Sequence, residues 1–222
     1  DAGVEVVNGL RTREAERSMA GFLTRQRLGR PFVTLKLATS LDGRIALADG
    51  SSRWITGPEA RAHAHLERAR HEAILVGRGT WDADAPGLDV RLPGLEARSP
   101  VRVVLTTKPF ASSEVEKHCE ATAFLDFARN GREVMVISSP EQITTLRCDY
   151  LLVEGGAQAA AAFLRAGLVD RLLLYRAPIL VGEGKASLGD IGLRELADAH
   201  GRWQLADARA LGVDRLEVYE RA

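Results

Sequence analysis

Residues 149–167 read DYLLVEGGAQAAAAFLRAG. The apolar run, bounded by an aspartate and a glycine pair, has the pattern of a buried strand. The alanine-rich stretch behind it, closed by Gly167, reads as a helix. Gly155-Gly156 is then the turn that joins them.

The alternation continues outward in both directions. PFVTLKLATS (31–40) is a β-branched apolar run and reads as a buried first strand, and in LDGRIAL the Asp42-Gly43 turn leads to a short second one. Thr56-Gly57-Pro58-Glu59 has the T-x-x-E form of a capping box with proline in the first turn. It predicts a helix to about Arg70 with Ala62, Leu66 and Ala69 as its apolar face. EAILVGRGT (72–80), VRVVLTT (101–107) and EVMVIS (133–138) read as strands, and EQITTLR as a short helix. Residues 82–100, rich in Pro, Gly and Asp, read as a long loop, and 11–28 as one charged amphipathic helix. DRLLLYRAPIL (170–180), WQLADARAL and DRLEVYER (214–221) follow as late strands, the last antiparallel at an edge. Strands alternating with helices make an α/β domain.

The chain has 222 residues, 45% of them hydrophobic, enough for one sizeable core. Thirty basic residues balance thirty acidic ones, so no global field favours nucleic acid or a membrane surface. No apolar run approaches the length of a membrane span, and the start DAGVEVVNG has no signal-peptide pattern. The sequence does not begin with Met and is expected to be a piece of a longer chain or a processed product. Cys119 and Cys148 have no disulfide-framework or zinc spacing, and idle or buried thiols in a reducing cytoplasm are expected. His63, His65, His71, His118 and His200 form no H-x-E…P-C-x-x-C arrangement, which excludes a zinc deaminase site from this sequence.

Three features are candidates for chemistry. Gly77-Arg78-Gly79-Thr80 and Glu154-Gly155-Gly156 each follow a strand, and each is either a phosphate-cradling turn or a tight strand exit. Neither is G-x-G-x-x-G. Arg61, His65 and Arg68 recur at helical spacing, behind Ser51, Ser52 and Trp54. They form either a solvated stripe or a wall for a small, flat anion, with Arg91 as a second contact. Lys36 sits between Leu35 and Leu37 on a strand, so it either snorkels to solvent or meets an acid. Asp42, Asp84 and Glu154 are the candidate acids.

RPFVTLKLATSLDGRIALADGSSRWITGPEAR, AILVGRGTWDADAPGLDVR and LLVEGGAQAAAAFL together resemble the reductase domain of the bacterial bifunctional riboflavin-biosynthesis deaminase–reductase. The resemblance runs from about Gly29 to the C-terminus, densely over 30–91 and 150–165. Residues 1–28 resemble the connector that follows the deaminase domain, leaving 29–222 as the pyrimidine reductase domain.

The resemblance implies a dihydrofolate-reductase-like fold, a twisted, mostly parallel sheet flanked by helices with an antiparallel C-terminal edge. It implies NADPH-dependent reduction of the ribosyl group of 5-amino-6-(5-phosphoribosylamino)uracil by a cytoplasmic homodimer, with a deaminase domain fused or separate. Carried over by motif, Ala38, Trp54, Thr80, Asp84, Thr107, Gly156, Ala157 and Gln158 are the cofactor contacts. Ser52, Arg68, Leu88, Arg91 and Glu154 are the substrate contacts, and Lys36, Asp84 and Glu154 the catalytic set. The sequence departs from the family at Ala85, where Asp is frequent, and at Thr106, where a strand-end Asp is frequent. Rival readings are a reductase of the not-yet-deaminated diaminopyrimidinone, a dihydrofolate reductase, and an inactive nucleotide-binding domain of the same fold.

Overall fold

The computed structural model describes residues 3–108 and 134–222. Strands β1 (Phe32–Thr39), β3 (Ala73–Gly77), β4 (Val101–Leu105), β5 (Val134–Ile137), β6 (Tyr150–Glu154), β7 (Arg171–Arg176), β9 (Trp203–Leu211) and β10 (Asp214–Arg221) form one eight-stranded sheet. Its order is β5-β4-β3-β6-β1-β7-β10-β9. Every pair from β5 to β7 is parallel, and β7, β10 and β9 pair antiparallel. The mostly parallel sheet with an antiparallel C-terminal edge is therefore present, but the edge strand is β9, and the last strand, β10, expected at the edge, lies inside between β7 and β9. A separate two-stranded ladder joins β2 (Arg44–Leu47) to β8 (Gly184–Ala186).

β1 lies between β6 and β7, and both of its faces pack in core clusters, Leu35 with Phe163 on one side and Ala38 with Ala60 and Ala64 on the other, so the run needs no polar alternation. Val33, Leu35 and Leu37 point to one side, where they join Leu75, Val103, Leu151, Val153 and Phe163 in the main core. Phe163 and Ala160 come from α5 (Ala157–Arg165), the helix expected after the glycine pair. On the opposite face, α3 (Pro58–Ala69) packs Ala60 and Ala64 against Leu173, Tyr175 and Leu216. A third cluster places Leu88 among Ile74, Val76, Val104, Val134 and Leu152.

Several local expectations are corrected. The helix expected over 11–28 is two, α1 (Thr12–Ser18) and α2 (Ala20–Leu28), because the backbone at Met19 leaves the helical region. The one buried residue of α2 is Gly21, where a Cβ would fall 2.5 Å from the Tyr150 ring. Thr56 does not cap α3. Gly57 is the N-cap, and its N–H donates to the buried Asp214 carboxylate at 2.6 Å. Nor is the buried face Ala62, Leu66 and Ala69. It is Ala60, Ala64 and Glu67, because small side chains let the helix approach the sheet and a polar strip beneath it needs polar partners.

The first glycine turn opens a helix too, α4 (Arg78–Asp84), so the loop expected over 82–100 starts later, with a 3-10 turn at Glu96–Arg98. EQITTLR takes 3-10 form, at Pro140–Thr145, and β7 stops at Arg176 rather than at 180. Cys148 is free and buried, and burial pushes its thiol up to about 12. Cys119 and His118 lie outside the described residues. None of the described helices is long and apolar enough to cross a membrane, and no metal-holding group of His, Cys, Asp or Glu occurs among the described residues.

Candidate active site

Parallel pairing sets β1 and β6 side by side with Lys36 opposite Glu154. Both lie toward the carboxyl ends of their strands, the edge where open α/β sheets bind ligands. The Lys36 Nζ donates to Glu154 Oε1 at 3.2 Å. Arg68 reaches down from α3 and grips the same carboxylate twice, Nε to Oε2 at 2.8 Å and Nη2 to Oε1 at 2.9 Å. Its Nη1 also donates to the Asp89 carbonyl at 2.9 Å, which ties the loop after α4 to α3. The three side chains are only 16%, 12% and 12% exposed, in the order Lys36, Glu154, Arg68.

Burial alone would raise the Glu154 carboxyl. The charges and hydrogen bonds of Lys36 and Arg68 outweigh it and hold the group down at about 2. Glu154 is thus a fixed carboxylate between two cations. Of the three acids weighed for Lys36, the structure selects Glu154. Asp42 instead accepts from the Ser40 hydroxyl at 2.5 Å and the Gly182 N–H at 2.7 Å. Asp84 is an exposed residue at the end of α4.

The two glycine turns meet because β3 and β6 are neighbours in the sheet. Gly155 and Gly156 have φ of 98° and 79°, and a Cβ at Gly156 would stand 2.9 Å from Thr80 Oγ1. Only glycine permits both the left-handed backbone and that approach. Gly156 is the N-cap of α5 and, as glycine, brings no side chain to cap the amides of the first turn, which have no partner within the helix. A backbone cradle at a helix N-terminus fits the phosphates of a dinucleotide. Ala157 and Gln158 are its first helical residues.

The remaining expected residues scatter around this centre. Ala38 faces Tyr175 across β1 and β7. Trp54 is 64% exposed and stacks on the Arg61 guanidinium, 4.6 Å from carbon to ring centroid. Ser52 is exposed, Thr107 is exposed just past β4, and Arg91 is exposed with its Nε 3.7 Å from Asp89. The Leu88 side chain is in the core, held there by a left-handed backbone with φ of 54°. The imagined Arg61–His65–Arg68 wall does not stand free. Arg61 serves Trp54 and the Thr56 carbonyl, His65 the Asp89 carbonyl, and Arg68 serves Glu154.

Sequence reading missed two groups beneath Lys36. The Tyr175 ring lies 5.6 Å from Nζ, and its hydroxyl meets His63 Nδ1 at 2.7 Å. The one signal for it was a lone tyrosine in the leucine run of β7.

The profile of a family described as RibD C-terminal domain matches residues 31–216. A Mycobacterium tuberculosis protein named riboflavin biosynthesis protein RibD is 40% identical over 225 residues, which cover 97% of this chain and 62% of that protein. This chain therefore spans less than two thirds of that relative's length. A Thermotoga maritima structure, a diaminohydroxyphosphoribosylaminopyrimidine deaminase/5-amino-6-(5-phosphoribosylamino)uracil reductase, superposes with a TM-score of 0.76 at 27% identity, over 99% of this chain and 65% of that one. Dihydrofolate reductase from Enterococcus faecalis, solved with NADP(H), superposes with a TM-score of 0.57 at 17% identity over 86% of this chain and 96% of its own, which shows a shared fold.

Proposed function

The chain belongs to the RibD C-terminal domain family, and we propose that it reduces the ribosyl group of 5-amino-6-(5-phosphoribosylamino)uracil to the ribitylamino form in riboflavin biosynthesis, using NADPH. The observation that carries the reading is the in-register Lys36–Glu154 pair beside the apposed glycine turns. One is a charged reacting centre and the other a phosphate cradle, and they share a strand end. Residues 29–222 are the reductase domain and 1–28 a connector. The enzyme works as a cytoplasmic homodimer, with a deaminase domain fused or separate.

When bound, NADPH supplies a hydride to C1′ of the sugar. The chain's residues prepare that carbon. The N-glycoside opens when the C1′–O4′ bond breaks, O4′ takes a proton and the nitrogen forms a double bond to C1′. Lys36, with N–H donors beyond the one held by Glu154, hydrogen-bonds O4′ as it leaves. The Glu154 carboxylate, ionised at working pH, stabilises the positive charge on the opened C=N group. Once hydride reaches C1′, the nitrogen is left as a neutral secondary amine. Asp84 is a second candidate for this electrostatic role.

Arg91, Ser52 and the donors of Arg68 not held by Glu154 or Asp89 serve the sugar phosphate, and the Leu88 backbone and Glu154 line the substrate site. Ala38, Trp54, Thr80, Asp84, Thr107 and the Gly156–Ala157–Gln158 amides hold the cofactor. The test is loss of reduced-nicotinamide absorbance on adding the deaminated pyrimidine, the diaminopyrimidinone or dihydrofolate in turn. Turnover of the first alone supports the reading. Turnover of either of the others reassigns the substrate, and cofactor binding without any turnover leaves an inactive nucleotide-binding domain.

A further inference from the structure

A polar strip crosses the sheet beneath α3. Strand pairing puts Lys36, Ala38, Tyr175, Leu216 and Arg209 on that one face. From the reacting pair outward, the Lys36 ammonium lies over the Tyr175 ring, 5.6 Å from its centroid. The Tyr175 hydroxyl meets His63 Nδ1 at 2.7 Å, and Arg209 Nη2 meets His63 Nε2 at 3.0 Å. Tyr175 is 1% exposed.

The roles in this chain follow from chemistry. A guanidinium only donates, so His63 Nε2 accepts, and Nδ1 carries the proton and donates to the Tyr175 oxygen. Burial lowers the His63 pKa, which agrees with a neutral ring. The imidazole is thereby fixed in one tautomer and the phenol in one orientation. A lysine stem has four flexible carbons, and a single carboxylate contact leaves the ammonium free to swing. An anchored ring face beneath it removes that freedom.

We propose that Tyr175, anchored by His63, is a positioning residue that holds the Lys36 ammonium against Glu154. The proposal rests on the reading of Lys36 and Glu154 as the reacting centre. Y175F keeps the ring and its volume and removes the bond to His63. H63L removes the same bond, whereas in H63Q the amide can accept from Arg209 and donate to Tyr175.

Y175F and H63L should lower kcat about three- to tenfold, the scale of one lost hydrogen bond, with NADPH affinity near wild type and Tm lowered by the buried polar groups left unpaired. H63Q should keep wild-type kcat. Mass-spectrometric footprinting with acetic anhydride should show Lys36 acetylated faster in Y175F and H63L than in wild type or H63Q. Unchanged kcat or unchanged Lys36 acetylation in Y175F overturns the proposal, as does H63Q behaving like H63L. A K36M enzyme with wild-type kcat would instead sink the reading of the reacting centre, while the acetylation comparison still decides whether Tyr175 holds the lysine.

Discussion

Arg68 and Glu154 meet fork to fork, through bonds of 2.8 and 2.9 Å, although one comes from the helix layer and the other from the sheet. The pair therefore fastens α3 over the strand ends while it fixes the charge of the site.

That double duty shapes the first prediction. Glu154→Gln keeps size but strands two buried cations, Lys36 and Arg68, a loss of about 3 kcal/mol for a broken buried pair. Tm should fall by roughly 6–12 °C for a chain of this size. If Glu154 also stabilises the developing cation, kcat should fall by roughly one to three decades. NADPH affinity should hold, because the amides after Gly156 are untouched. Calorimetry, fluorescence titration and steady-state rates read the three separately. A lower Tm with wild-type kcat would make the carboxylate purely structural and leave Asp84 as the electrostatic candidate.

Arg91 offers the contrasting case. Its side chain is 63% exposed and its nearest acid, Asp89, stands 3.7 Å away, so it contributes little to folding. As a phosphate contact it would contribute about 1.5–3 kcal/mol, and Arg91→Ala should raise KM by roughly one to two decades. Tm and NADPH affinity should stay as they are. An unaltered KM would mean that the loop after α4 points elsewhere.

The sheet and the site differ in how far local sequence determines them. The parallel sheet was legible because β1, β3 and β6 are apolar runs ending in turns, and local patterning decides such elements. The Lys36–Glu154 pair was half legible. A lysine between Leu35 and Leu37 demanded an acid, but three acids qualified, and only the β1–β6 register chooses among them. The cap of α3 was not legible, since Asp214 arrives from the last strand, 157 residues away from Gly57. Tyr175 and His63 were hidden for the same reason. Their contact joins β7 to α3, and nothing in either local pattern refers to the other.

NADPH should bind more tightly than NADH. At the end of β4 the Thr106 hydroxyl accepts from the Lys108 N–H at 3.0 Å, so this residue adds no fixed negative charge against a 2′-phosphate. A phosphate contact of about 1.5–3 kcal/mol separates the two cofactors by roughly one to two decades in Kd. Titration of nicotinamide fluorescence measures both. Equal affinities would overturn the assignment of NADPH.

His71 should make stability depend on pH near neutrality. It is 6% exposed, with Nδ1 2.6 Å from the Glu67 carbonyl and Nε2 2.9 Å from the Thr34 hydroxyl. Burial pushes its pKa below the ordinary value of 6.5. The unfolded chain then takes up a proton as pH falls through that ordinary value, while the folded ring stays neutral. Stability is therefore full above about pH 7 and declines toward about pH 5, the sign expected when the unfolded state binds more protons. His63 and His65, both lowered chiefly by burial, act in the same direction. Glu154 does not contribute in this window, since its stabilising charge is lost only as pH falls below the unfolded carboxylate range toward about 2. His71→Gln should lower Tm at every pH, through imperfect replacement of two buried hydrogen bonds, and should flatten the Tm–pH curve between about 5 and 7. Thermal scans at fixed ionic strength measure both effects. A variant with the wild-type slope would show that His71 binds its proton equally in both states.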